Sequence, residues 1–142
     1  MQIAIDFDGT CTTHDFPDVG KDIGAQMVLR ELVNNGHDLI LFTMRSNVDD
    51  PKSELDEIVK QGGNYLDHAV EWFKDNDIEL YGIQSNPTQS DWTHSPKCYA
   101  QLYIDDAALG CPLIYDMTRS SRPFVNWRAV REILIGKQLI KP

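Results

Sequence analysis

The sequence predicts an α/β protein built on a doubly wound parallel sheet of about five strands. Three observations predict it. Short apolar runs alternate along the chain with segments of helical periodicity. "DLILFT", residues 38–43, is the continuous apolar run expected of a strand buried on both faces of a parallel sheet. Polar residues end three of the runs: Asp6 and Asp8 the first, Thr43 the second, Asp105 and Asp106 the fourth. Open parallel sheets bind their ligands beyond the carboxyl ends of their strands.

Residues 2–6 form the first expected strand. Residues 21–35 carry Ile23, Met27, Val28, Leu32 and Val33 near helical spacing, and Gly36 stops that helix. After the strand at 38–43, Asp50-Pro51 starts a short helix through Val59, ahead of Gly62-Gly63. Asn64 caps the next helix, whose apolar stripe is Leu66, Ala69, Val70 and Phe73. "ELYGI" at 79–83, "QLYI" at 101–104 and the weaker "PLIYD" at 112–116 are the third, fourth and fifth strands. A last helix is expected from about Asn126 to Ile135, with Trp127 in the core. No repeat or low-complexity linker interrupts this order, and 142 residues suit a single domain.

Hydrophobic residues at 42% and charged residues at 25% place the chain among ordinary globular proteins. Cys11, Cys98 and Cys111 are odd in number and lack metal spacing, so they read as free thiols of a reducing, cytoplasmic compartment. Asp6 and Asp8 interrupt the first apolar run, so no signal peptide is expected, and no apolar stretch approaches the length needed to span a bilayer. The net charge is −9. The first 100 residues hold 7 basic and 18 acidic side chains and the remainder 6 and 4, so the parts carry −11 and +2. Such an acidic surface disfavours nucleic acid as a partner.

Asp6 and Asp8 occupy alternate positions at the end of a strand and so share a face. Like carboxylates crowded together raise each other's pKa or call for a cation. "DFDGT" after an apolar strand, "LFTMR" with Thr43, "SPK" with Lys97 and "YIDD" with Asp105-Asp106 resemble the four motifs of the haloacid dehalogenase superfamily. The likeness spans residues 3–106 and is nearest to small capless phosphatases. It implies a Rossmann-like sheet in the order 5-4-1-2-3, without a cap domain, and a magnesium-dependent phosphomonoesterase.

The resemblance also implies roles. Asp6 is the nucleophile that becomes an aspartyl-phosphate. Asp8 protonates the leaving oxygen and then deprotonates the attacking water. Asp6, the backbone carbonyl of Asp8, and Asp105 hold Mg2+, for which oxygen ligands are suited. Gly9 and Thr10 bind phosphate through the turn, and the Thr43 hydroxyl and Lys97 ammonium complete the cradle.

Other readings remain open for several residues. Asp8-Gly9 is also a common turn pair, Thr43 could simply end a strand, and Lys97 could be solvated. Asp106 is either an outer partner of the cation or a helix cap. Arg45 reads as a wall or surface residue, and His14 and His94 as loop histidines facing solvent. Arg119 and Arg122 either bind a second anionic group of the substrate or balance an acidic surface. The gaps between motifs leave an open site, covered at most by loops 11–22 and 84–96 or by a second subunit of a homo-oligomer. Two other functional classes fit the pattern less well. A receiver-like phosphoryl-accepting domain would carry its aspartate after the third strand, where this chain has "GIQSNP". A catalytically silent binding domain would not need the full acidic set.

Overall fold

The computed structural model describes residues 1–48 and 63–142. The expected helix at 51–59 lies outside the described residues. At the centre is β1 (Gln2–Ile5), with β2 (Asp38–Leu41) on one side and β6 (Leu102–Ile104) on the other; β5 (Gly82–Ile83) lies beyond β2. All four are parallel, and Ile5 stands opposite both Leu41 and Ile104. Two-residue strands β3 (Asn47–Val48) and β4 (Gly63–Asn64) form a separate antiparallel ribbon.

The expected sheet of five strands in the order 5-4-1-2-3 is corrected to four, β6-β1-β2-β5: the fifth strand is missing from it, and the other four stand as 4-1-2-3. The segment at 112–116 leaves the sheet. Its β7 (Leu113–Ile114) pairs antiparallel with β8 (Phe124–Val125), Leu113 opposite Val125 and Ile114 opposite Phe124. A local partner closes a short loop at little entropic cost. The same segment offers an apolar run of only two residues, Leu113 and Ile114, between Pro112 and the exposed Tyr115.

Three α-helices are described: α1 (Ala25–Asn34), α2 (Tyr65–Asp75) and α3 (Trp127–Gly136). α1 starts four residues later than expected, because Gly24 at φ +86 turns the chain and donates its N–H to Asp22 Oδ1 at 2.8 Å. Asn126 caps α3 by accepting from the Ala129 N–H, whereas Asn64 makes no side-chain cap to α2. Alternate residues of a strand face opposite ways. Ile3, Ile5, Leu39 and Leu41 pack with Val28, Leu29 and Leu32 of α1, Ala69 and Phe73 of α2, and Val130 and Leu134 of α3 in the main core. Ala4 and Ile40 point the other way, into a small cluster with Cys98, Phe42 and Ala100. Among the described residues the helices therefore cover one face only, and irregular chain around Cys98 covers the other. None of these helices is long and apolar enough to cross a membrane.

Candidate active site

The register of parallel strands brings the acidic residues together. Ile5 and Ile104 are partners, so the next residues, Asp6 and Asp105, emerge side by side at the carboxyl end of the sheet. The backbone pairing continues one step further, where Asp6 N–H donates to Ile104 O at 3.0 Å. One oxygen each from Asp6, Asp105 and Asp106 lies within 4.8 Å of the others. Thr10 ties them: its hydroxyl lies 2.9 Å from Asp6 Oδ2 and 3.3 Å from Asp106 Oδ1, and accepts the Asp106 N–H at 3.0 Å. The Asp6 carboxyl is pushed up to about 8, first by burial and then by the charge of Asp105. Three hard oxygen donors, one of them reluctant to ionise beside the others, could hold a divalent cation.

The turn after β1 explains the glycine. Gly9 has φ +79, and a Cβ there would fall inside the His14 ring. Its N–H donates to Thr12 O at 2.8 Å, and the Thr10 N–H to Phe7 O at 3.1 Å. This corrects the expectation that Gly9 and Thr10 bind phosphate through these groups: both N–H groups are used in closing the turn. The Asp8 N–H has no partner among the described residues.

Asp8 does not join the acidic cluster. Its carboxylate forms a bidentate pair with Arg45, Nε to Oδ2 and Nη2 to Oδ1, both at 2.8 Å. Arg45 is 2% exposed, so the expectation of a wall or surface residue is corrected to a buried one. Its other N–H groups reach the carbonyls of Asp18 at 2.7 Å and of Pro17 and Tyr65 at 3.3 Å. The guanidinium lies between the rings of Phe7 and Phe16, 5.1 Å from each centroid. With all five donors engaged, Arg45 holds Asp8, loop 15–18 and the start of α2 together. A lone Arg after a strand gives no sequence signal for this, because its partners lie 20 to 37 residues away.

Thr43 follows β2 and is held by Gln84, whose side chain accepts the Thr43 N–H at 2.9 Å and donates to Thr43 O at 2.7 Å. Thr43 Oγ1 accepts the Arg45 N–H at 3.1 Å, which leaves its own proton to donate. Gln84, at φ +65, was not among the expected site residues. Lys97 is exposed, and its ammonium sits 5.7 Å from the Tyr103 ring centroid, two positions before Asp105 on β6. Among the described residues it forms no ion pair.

His14 was expected to face solvent; instead its Nε2 lies 2.9 Å from Asp106 Oδ2. Its only sequence signal is its place four residues after "DGT". His94 is exposed, as expected. Arg119 stacks on Phe124 at 4.8 Å and, like Arg122, lies on the exposed loop between β7 and β8; neither contacts the acidic cluster. All three cysteines are free.

No family model matches the chain, and no curated protein matches it. A solved structure of a conserved protein from Bacteroides thetaiotaomicron is similar, with a TM-score of 0.70 and 29% identity over 96% of this chain and 91% of that one. The similarity runs along nearly the whole chain and brings no activity with it.

Proposed function

We propose that this protein is a phosphomonoester hydrolase of the haloacid dehalogenase type. The observation that carries the reading is the convergence of Asp6, after the first strand, with Asp105 and Asp106, about a hundred residues later, at the carboxyl end of the sheet. Asp6, Asp105 and the backbone carbonyl of Asp8 would hold Mg2+, with Asp106 beside them. When bound, Mg2+ offsets the negative charge of substrate and nucleophile and polarises the phosphoryl group. An Asp6 oxygen attacks phosphorus, the ester P–O bond breaks, and the departing alkoxide takes a proton from solvent water, leaving an aspartyl-phosphate. Water then attacks that phosphorus, the Asp6–phosphorus linkage breaks, and inorganic phosphate departs. The Thr43 hydroxyl, the Lys97 ammonium and the Asp8 N–H hold phosphoryl oxygens.

The Arg45 pair bears on the role of Asp8. Both Asp8 oxygens accept guanidinium bonds, yet each retains another lone pair. This arrangement favours Asp8 as the base that takes a proton from water over Asp8 as the acid. Asp8→Asn is then expected to slow turnover by about 10²–10⁴-fold and to accumulate phospho-enzyme. Intact mass after a brief acid quench reads the added phosphoryl group. A loss in kcat/KM that is far larger for an alkyl phosphate than for p-nitrophenyl phosphate would instead assign Asp8 the acid role.

A screen of phosphorylated metabolites with Mg2+ tests the whole reading. Phosphate release should vanish in excess chelator, return with Mg2+, and fall about 10³-fold or more in Asp6→Asn. Full activity in chelator, or in Asp6→Asn, would overturn the proposal. A wild-type phospho-enzyme that forms but does not turn over would favour the receiver-like class.

A further inference from the structure

His14 has no part in the proposed chemistry, yet it is placed with care. Its side chain is 12% exposed, packed over Gly9 where no Cβ intervenes, and its Nε2 meets Asp106 Oδ2 at 2.9 Å. The Asp106 side chain is 15% exposed. When all three are ionised, as cation binding requires, these carboxylates repel, and a free Asp106 would rotate away from Asp6 and Asp105. Two contacts oppose that rotation. Thr10 holds the Asp106 backbone N–H and approaches Oδ1, on the side shared with Asp6. His14 holds Oδ2. A carboxylate only accepts hydrogen bonds, so in the cation-bound form Nε2 is the donor.

We propose that His14 is a positioning residue for the cation site: by anchoring Oδ2 it keeps the Asp106 carboxylate turned toward Asp6 and Asp105, and so sets the affinity of the site for a divalent cation. The inference rests on the cation reading above. Hydrogen-bond partners of ligating carboxylates are typically worth 10–100-fold in metal affinity. The ring also accounts for the glycine at position 9, since only a residue without Cβ lets the imidazole lie across the turn and reach Asp106.

Mn2+ is the probe, and free Mn2+ is counted by electron paramagnetic resonance in titrations of the full chain, with no turnover involved. His14→Phe keeps a ring over Gly9 and removes the donor; it should weaken Mn2+ binding by about 10–100-fold. His14→Gln restores a donor and should recover most of that loss. In an Asp106→Ala background, His14→Gln and His14→Phe should bind Mn2+ equally, because the partner is gone. If Asp106→Ala leaves the full His14→Phe deficit in place, the ring acts by packing and the proposal is overturned. Wild-type affinity in His14→Phe, with an unchanged thermal melt, overturns it as well. Should His14→Phe fail to fold, His14→Ala takes its place in the same comparison, and an affinity equal to wild type again overturns the proposal. Failure of the wild-type chain to bind Mn2+ at all has a different meaning: it removes the cation reading itself, and the inference with it.

Discussion

Arg45→Met is expected to destabilise the fold by about 3–5 kcal/mol, the range for breaking a buried ion pair from one side. The change leaves the Asp8 carboxylate, 19% exposed, without its bidentate partner. It also strips a donor from the carbonyls of Pro17 and Asp18 and one donor from that of Tyr65, and removes the cation between Phe7 and Phe16. Arg45→Lys should recover little, because an ammonium cannot make the planar fork or reach three separate carbonyls at once. The midpoint of urea unfolding at constant slope reads the loss directly. Combining Asp8→Asn with Arg45→Met should cost clearly less than the two single effects added, since neither charge is then left alone. A change below about 1 kcal/mol for Arg45→Met would show that loop 15–18 is held by other contacts.

The second large effect concerns pH. Without a cation, the folded protein holds a proton on Asp6 up to about pH 8, whereas an ordinary aspartate loses it near 3.8. The folded state thus binds this proton more tightly than the unfolded state. Folding therefore loses stability as pH rises from about 4 to about 8, and the loss levels off above that. Asp6→Asn has no proton to lose and keeps the shape of the side chain. In chelator it should be more stable than wild type by about 2–4 kcal/mol at pH 8, after allowance for solvent at a partly exposed site, and nearly equal to it at pH 4. Mg2+ should then stabilise wild type and release about one proton per ion at pH 7, visible as buffer-dependent heat in calorimetry. Parallel stability–pH profiles for the two proteins would mean that Asp6 is not the titrating group.

Together these expectations describe a site set against the stability of its own fold. Burial and the neighbouring charge of Asp105 raise the energy of an ionised Asp6, and a cation relieves both. Arg45 keeps Asp8 apart from that conflict, so the two carboxylates of "DFDGT" sit in different environments although they are two residues apart.

Some of this was determined by the sequence alone. The apolar runs at 2–6, 38–43 and 101–104 became adjacent parallel strands, and Asp6 after the first met Asp105 and Asp106 after the last at the carboxyl end of the sheet. Apolar runs mark buried strands through local composition, and once parallel register pairs Ile5 with Ile104 the residues that follow must be neighbours. Only the tertiary structure decided the rest. The segment at 112–116 could have extended the sheet, and it paired instead with Phe124–Val125. Helical periodicity showed that each helix had an apolar face, and it could not say that α1, α2 and α3 would all cover the same side. Arg45 became a buried clamp, and His14 an anchor for Asp106, through partners 20 to 92 residues distant. A side chain's local sequence carries its chemistry, but its burial and its hydrogen-bond partners are set by whichever distant segments the packed core brings against it.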